Sequence, residues 1–333
     1  MKVLIYEFLT GGGLYSRPAW RDPQETLLRE GSAMVRALVD DFCRIPNHHV
    51  TLMWDRALPT SWCGNSVELV PIGSEDDELH HLTRLSAASD WTILIAPECD
   101  GLLLDRVRWV EAAGGRLLSP NSQLVAWTTD KQRTCERLEQ AGLPVPRGCR
   151  VTSGEGLPSD FSYPAILKPL DGAGSLGVRM LLDHHSAQPS DWTADEMRLE
   201  AYWPGTAASI SLLLGPAGAF VLPPCTQRFH DPIRFGYDGG GVIDDADLIQ
   251  RARRIALQVV PLTGNACGYM GIDLVLGDQL GTPQDAVIEI NPRLTSSYLG
   301  LRRATDANLA ELWLRTARGD RPMDFIRWTA VQW

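Results

Sequence analysis

The chain has 333 residues, of which 44% are hydrophobic and 22% charged, and its formal net charge is −10. These proportions suit a soluble globular protein of two or three domains. The negative balance argues against nucleic acid as a main partner, because a phosphate backbone calls for a concentrated basic surface. No apolar run reaches the length that spans a bilayer, and the opening Met1–Tyr6 run is too short for a signal peptide. A cytoplasmic protein without membrane contact is expected.

The first third alternates strand and helix patterns. Val3–Tyr6, Val50–Met53 and Thr92–Ala96 are short β-rich apolar runs, and Leu27–Phe42 repeats its apolar residues at helical spacing. Leu103, Val107 and Val110 mark a further helix, and Arg116–Leu118 a further strand. This alternation predicts a parallel α/β sheet ending near Ser119-Pro120-Asn121. Glu7, Gly11, Gly12 and Glu30 fall where the first strand ends and its helix begins, the edge at which open α/β sheets bind ligands. They are candidate substrate residues, with Glu30 able to meet an ammonium group. A lone carboxylate near a helix start can also simply complement the helix dipole.

A second section opens with a helix over Ser122–Ala141, stopped by Gly142 and Pro144. Tyr163–Lys168 reads as a strand running into Gly172-Ala173-Gly174-Ser175-Leu176-Gly177, and Val178–Leu182 as the strand leaving it. The polar stretch His184–Glu196 reads as a loop. A third section, from Arg198, carries strands at Ser209–Leu214 and Ala219–Leu222 and a glycine-rich loop at Gly236–Gly241. A helix at Ala246–Val260, two acid-bearing strands and a helix near Asn308–Arg318 follow. The expected division is 1–120, 121–197 and 198–333.

Chemistry concentrates in the last two sections. Side chains repeat every two residues in a strand, so Glu289 and Asn291 of Ile288-Glu289-Ile290-Asn291-Pro292-Arg293 share a face, and Ile288 and Ile290 take the other. With Asp273 on the partner strand Gly271–Leu276, they form an oxygen-rich set suited to Mg²⁺, which takes one or two carboxylates plus substrate phosphate oxygens. Arg293 lies just beyond, where fixed positive charge can meet phosphate. Gly172, Gly174 and Gly177 around Ser175 let backbone N–H groups approach phosphate oxygens. The spacing also matches the dinucleotide fingerprint, but a strand rather than a helix follows it. The chain contains three lysines, Lys2, Lys131 and Lys168. Lys168 ends an apolar strand and Lys131 begins a helix, both beside these motifs.

The remaining signals are weaker. Seven scattered cysteines (Cys43, Cys63, Cys99, Cys135, Cys149, Cys225, Cys267) form no C-x-x-C pair and read as reduced thiols. Adjacent histidines point apart, so His48-His49, His80-His81 and His184-His185 do not suggest a shared metal. Eleven tryptophans are dispersed rather than tracked by basic residues, unlike a base-stacking platform.

In order, Asp130-Lys131, Ile166–Lys168 with its flap to Gly177, Glu200-Ala201-Tyr202-Trp203-Pro204-Gly205, the Gly271–Leu276 strand and the Ile288–Arg293 segment resemble the ATP-grasp superfamily of carboxylate–amine ligases. The resemblance covers residues 120–300. It implies an ATP-grasp fold, two α+β subdomains around a nucleotide, preceded here by a Rossmann-like parallel-sheet domain. It implies ATP contacts from Lys131, Lys168, Gly172, Gly174, Ser175, Gly177, Ser209 and the hinge Glu200, Ala201, Tyr202 and Trp203. Metal ligation falls to Asp273, Glu289 and Asn291, with Mg²⁺ the expected ion and Mn²⁺ an alternative. Lys168 and Arg293 are the expected catalytic residues. Lys2–Phe8, Gly11–Gly13, Arg29-Glu30-Gly31 and Asn291–Leu301 look more narrowly like tyramine–glutamate ligases and their relatives in methanofuran-type cofactor biosynthesis. That likeness implies small-molecule substrates: a carboxylate such as glutamate joined through an acyl phosphate to a tyramine- or tyrosine-like amine. Thr295, Ser296, Ser297, Gln227 and Arg228 are further candidates for substrate contact. A peptide or amino-acid ligase with other substrates, a nucleotide-binding regulator without catalysis, and assembly as a homodimer remain open at this point.

Overall fold

The computed structural model of the chain describes residues 1–20, 25–59, 67–172, 174–277, 285–320 and 326–333. Cys63 and Ala173 lie outside the described residues. β1 (Lys2–Glu7), α1 (Glu25–Cys43), β2 (His49–Asp55), β3 (Val67–Ile72), α2 (Glu75–Ala87), β4 (Trp91–Ile95) and α3 (Leu102–Ala112) alternate along the first part of the chain. The strands form a parallel sheet in the order β3-β2-β1-β4. Val3–Tyr6 and the whole of β4 are buried, the continuous burial of strands covered on both faces. Residues Arg116–Leu118 do not make the expected strand. Leu117 forms a single bridge to Thr92, and β3 supplies the fourth strand instead.

The single helix expected over Ser122–Ala141 is two, α4 (Ser122–Thr128) and α5 (Lys131–Gln140). Asp130 takes extended backbone between them, and its carboxylate accepts from the N–H groups of Gln132 (2.9 Å) and Arg133 (3.0 Å). That cap starts a new helix at the residue where the first would have continued, and it fixes the direction of Lys131. β5 (Gly148–Thr152), β6 (Ala165–Pro169), β7 (Arg179–Leu181) and β8 (Glu196–Ala201) then make an antiparallel sheet in the order β5-β8-β6-β7. The expected division at 197/198 falls inside β8, whose pairing runs on to Ala201. We propose the same three-part division with that boundary moved past Ala201.

The largest sheet contains β9 (Thr206–Gly215), β10 (Gly218–Val221), β11 (Cys225–Phe229), β12 (Tyr237–Val242), β13 (Gly268–Leu276) and β14 (Ala286–Asn291), in the order β12-β11-β9-β13-β14 with β10 on β9. Residues Gly236–Gly241, expected as a loop, mostly form β12. Their glycines are demanded by close neighbours. A Cβ on Gly240 would lie 2.1 Å from the Thr226 carbonyl oxygen, and one on Gly239 2.0 Å from that of Trp333. α6 (Ala246–Val259) covers one face, and α7 (Ser297–Leu301) and α8 (Leu309–Arg318) follow the last strand. The α/β class expected from sequence is the class observed.

One apolar cluster joins the two ends of the chain. Val35, Leu38 and Phe42 of α1 belong to the same core as Tyr298, Leu301 and Trp313. At its edge, the buried Asp41 accepts from Tyr298 Oη (2.6 Å) and Arg302 Nη2 (2.7 Å), and its backbone carbonyl accepts from Asn308 Nδ2 (2.7 Å). This seam seats the segment after β14 against the last turns of α1. Among the described residues, no helix is long and apolar enough to cross a membrane.

Candidate active site

A cavity of about 570 Å³ opens where the three sheets meet. Lys131, Lys168, the flap residues Gly172, Gly174 and Ser175, the hinge Glu200–Trp203, Ser209, Asp273, Glu289, Asn291, Arg293, Thr295, Ser296, Ser297, Glu7 and Glu30 all line it. Residues predicted from separate motifs across the chain are thus brought to one place. Gly11, Gly12, Gly177 and Arg228 do not line the cavity. Gly11 and Gly12 shape the turn after β1: Gly12 has φ 100°, and a Cβ there would lie 2.3 Å from Ile72 Cγ2. Gly177, with φ 72°, closes the flap against Thr193 and Pro169. Arg228 points to the opposite face of β11 and donates to the Trp333 carbonyl (2.9 Å).

Asp273 on β13 sits directly across from Glu289 on β14, and Gly271 across from Asn291. The pairing then shifts, Leu274 opposing Val287, so Ile288 is an extra residue on its strand. A bulge of this kind re-aims side chains beside a site. Ile288 accordingly faces the cavity together with Glu289, rather than taking the apolar back face that strict alternation predicts. Its carbonyl accepts from Lys168 Nζ (3.3 Å).

The charges form a connected set. Lys131 Nζ lies 3.1 Å from Glu289 Oε1 and donates to the Gly172 carbonyl (3.2 Å), so it ties the acid strand to the flap. Lys168 Nζ lies 2.6 Å from Glu200 Oε1, and Glu200 also receives Arg198 Nε at 2.9 Å. Both lysines are buried, as cations are only when anions accompany them. Asp273 accepts from Gln227 Nε2 and from Asn291 Nδ2, each at 3.0 Å. Burial and the charge of Glu289 raise its carboxyl from 3.8 to about 7. Within the hinge, the backbone N–H groups of Ala201 and Tyr202 donate to the Arg147 and Pro164 carbonyls.

Two features escaped the sequence. Glu98, just after β4, is buried, and its Oε1 lies 2.9 Å from Arg293 Nε without hydrogen-bond alignment. Burial raises the Glu98 carboxyl while Arg293 lowers it. Burial also raises the carboxyls of Glu7 and Glu30, and the charge of Arg293 opposes each rise. Arg293 is therefore the shared cation between the edge of the parallel sheet and the acid pair on β13 and β14. Glu98 carried no signal in sequence because it follows a Pro in a loop, and only the fold brings it to Arg293. The second feature is an aromatic group, Phe229, Phe235 and Tyr237, on the cavity wall.

The acid pair fits a hard divalent cation. Two carboxylates face each other on neighbouring strands, and Asp273 is held about three pH units above its ordinary value by burial and in part by the charge of Glu289. Among the described residues, no group of three or more His, Cys, Asp or Glu is placed to hold a metal. The candidate set is two carboxylates and the Asn291 amide oxygen, which suits an ion that takes its other ligands from phosphate. A carboxyl whose folded-state value is raised contributes stability that is present at low pH and lost as pH rises. For Asp273 in metal-free protein, that loss runs from about 4 to about 7. A Mg²⁺ ion held by Asp273 would have to displace that proton below pH about 7, so its affinity is expected to fall by about tenfold per pH unit there. Calorimetric Mg²⁺ titration at pH 6 in buffers of different ionisation enthalpy should register proton release, and its absence would refute the assignment.

A family profile described as a pre ATP-grasp 3 domain matches residues 48–125, and one described as an ATP-grasp domain matches residues 128–297, just over half of the chain. The chain belongs to the ATP-grasp family. Among sequences, it is 23% identical over 322 residues to tyramine–L-glutamate ligase of Methanocaldococcus fervens, covering 96% of this chain and 94% of that one. Among solved structures, an ATP-grasp superfamily protein from Archaeoglobus fulgidus superposes with a TM-score of 0.72 at 23% identity, over 98% of this chain and 90% of that one. N5-carboxyaminoimidazole ribonucleotide synthetase, solved with ADP, superposes with a TM-score of 0.74 at 18% identity, over 99% and 80%. These likenesses establish the ATP-grasp fold: the flap on the small antiparallel sheet and the acid strands of the large one face each other across the cavity.

Proposed function

We propose that the chain is an ATP-dependent carboxylate–amine ligase that joins a glutamate carboxyl to a tyramine- or tyrosine-like amine, releasing ADP and phosphate. The observation that carries this reading is the cavity holding Lys131, Lys168, Arg293 and the opposed Asp273 and Glu289 beside the C-terminal edge of the parallel sheet. The near full-length similarity to a tyramine–L-glutamate ligase supports the choice of substrates.

In the first step, a carboxylate oxygen attacks the γ-phosphorus of ATP and the bond to the β-phosphate oxygen breaks, giving an acyl phosphate and ADP. In the second, the amine lone pair attacks the acyl carbon, the bond to phosphate breaks and nitrogen loses a proton. Phosphoryl transfer asks for positioning and charge neutralisation more than covalent help. Lys131 and Lys168 would meet the phosphates once released from Glu289 and Glu200. The Gly172–Gly177 flap and Ser175 would cover the phosphates, and Ser209 and the hinge Glu200–Trp203 would line the nucleotide. Mg²⁺, with Mn²⁺ an alternative, would be held by Asp273, Glu289 and Asn291 and would neutralise phosphate charge. Arg293 lies between these acids and Glu98 and would steady the transferring group and the acyl phosphate. Thr295, Ser296 and Ser297 offer hydroxyls to the carboxylate substrate. Glu7 and Glu30 offer negative charge to an ammonium group.

The test is ADP and phosphate release from ATP with L-glutamate plus tyramine or tyrosine, with the product mass measured. Amide formation from other amino-acid pairs, with none from an aromatic amine, would favour a peptide or amino-acid ligase on the same site. Nucleotide binding without stimulated turnover for any pair would refute catalysis.

A further inference from the structure

The hairpin of β11 and β12 carries three aromatic rings on the cavity wall that belong to none of the apolar cores. The Phe229 ring stands edge-on to that of Phe235 at 5.6 Å and to that of Tyr237 at 6.4 Å. Edge-to-face sets of this kind leave faces and edges for another ring. We infer that these rings form the subsite for the aromatic group of the acceptor amine. The inference rests on the ligase reading above and adds where the ring of the amine is read.

Four observations place that subsite and hold it in shape. Gln227, two residues before Phe229 on the same strand face, donates to Asp273 at 3.0 Å, so the hairpin leaves directly from the acid pair. Two strand residues advance about 7 Å, which suits a ring carried on a short aliphatic spacer from the reacting nitrogen. The turn is built for this shape. Phe235 holds a positive φ of 53°, Asp231 caps the turn by accepting from the N–H groups of Ile233 (2.8 Å) and Arg234 (3.1 Å), and a Cβ on Gly236 would lie 2.2 Å from the His230 ring. Its outer end docks on the flap sheet, where Met180 N–H donates to the Ile233 carbonyl (2.8 Å). Its back is held by Trp333, which exchanges backbone hydrogen bonds with Gly240 at 2.9 and 3.0 Å. Rings on a braced hairpin, left open to a polar reaction centre, are arranged to bind an apolar group beside chemistry.

The test uses Phe235→Ala and the size-conserving Phe229→Leu, so that a fold defect in one does not decide the outcome. Each is assayed for ADP release with tyramine and with a linear alkylamine at saturating glutamate and ATP. Tyramine binding to the protein loaded with a non-hydrolysable ATP analogue is followed by saturation-transfer NMR. The inference expects KM for tyramine to rise by about ten- to a hundredfold, with kcat, the alkylamine KM and nucleotide affinity held. Equal losses for both amines, a loss of nucleotide affinity, or no change with tyramine would overturn it. Wild-type protein that binds tyramine through these rings without turning it over would refute the ligase reading and leave the subsite standing. Wild-type protein that does not bind tyramine would overturn the subsite itself.

Discussion

Glu289→Ala is expected to lower ATP-dependent turnover by at least about 10²–10³-fold, the usual cost of losing one preorganised charge stabiliser, while the protein stays folded. Glu289 faces Asp273 across the strand pair and holds Lys131 at 3.1 Å. Its removal takes one carboxylate from the proposed metal set and leaves Lys131 with the Gly172 carbonyl. It also removes a negative charge that raises the Asp273 carboxyl. That group should therefore titrate lower in the variant, and the pH dependence of metal-free stability should flatten towards neutral pH. The fold should survive because the Glu289 side chain is 22% exposed and lies on the cavity wall outside the apolar cores. Steady-state ADP release, circular dichroism and thermal melts against pH check this together. Wild-type turnover from a folded Glu289→Ala protein would rule out the metal assignment.

What the sequence revealed of the site followed strand periodicity and residue scarcity. Glu289 and Asn291 repeat at the strand period, and two of three lysines sit beside glycine-rich or acidic motifs, so local signals named atoms that the fold brings together. Ile288 broke the rule because a bulge is a property of a strand pair, and the extra residue is invisible until β13 is set against β14. Glu98, Phe229, Phe235 and Tyr237 were missed for a related reason. Each is an ordinary residue in its own segment and gains meaning only from a neighbour far along the chain.

The fold was legible where burial is continuous and obscure where it is partial. β1 and β4, buried throughout, appear as apolar runs, whereas β3 alternates exposed residues and contains Pro71, and α2 opens with Glu75-Asp76-Asp77 and buries few apolar side chains. The break between α4 and α5 depends on Asp130 capping rather than continuing a helix, a choice that helical spacing alone leaves open. Gly239–Gly241 read as a loop from composition, yet their lack of side chains is what lets β12 pack against Thr226 and Trp333.

Arg293→Leu should cost stability as well as activity, and the two losses should separate. The guanidinium is 13% exposed and lies against Glu98, which is buried, while Glu289 and Asp273 also act on it. Removing one partner of such a group leaves buried negative charge uncompensated, at about 3–5 kcal/mol. The carboxyls of Glu98, Glu7 and Glu30 are already raised by burial and lose the cation that opposes the rise. Raised carboxyls stabilise the fold below their unfolded value of 4.5 and lose that contribution as pH climbs through the folded value. The variant should therefore regain thermal stability relative to wild type as pH is lowered from neutral towards 4.5. Glu98→Gln combined with Arg293→Leu should recover much of the stability, because the uncompensated acid is gone, and none of the turnover, because the cation proposed to face the acyl phosphate is still missing. A double variant as unstable as Arg293→Leu alone would mean that Glu98 does not hold Arg293. Recovered turnover in the double variant would mean that Arg293 acts only as a counter-charge to Glu98.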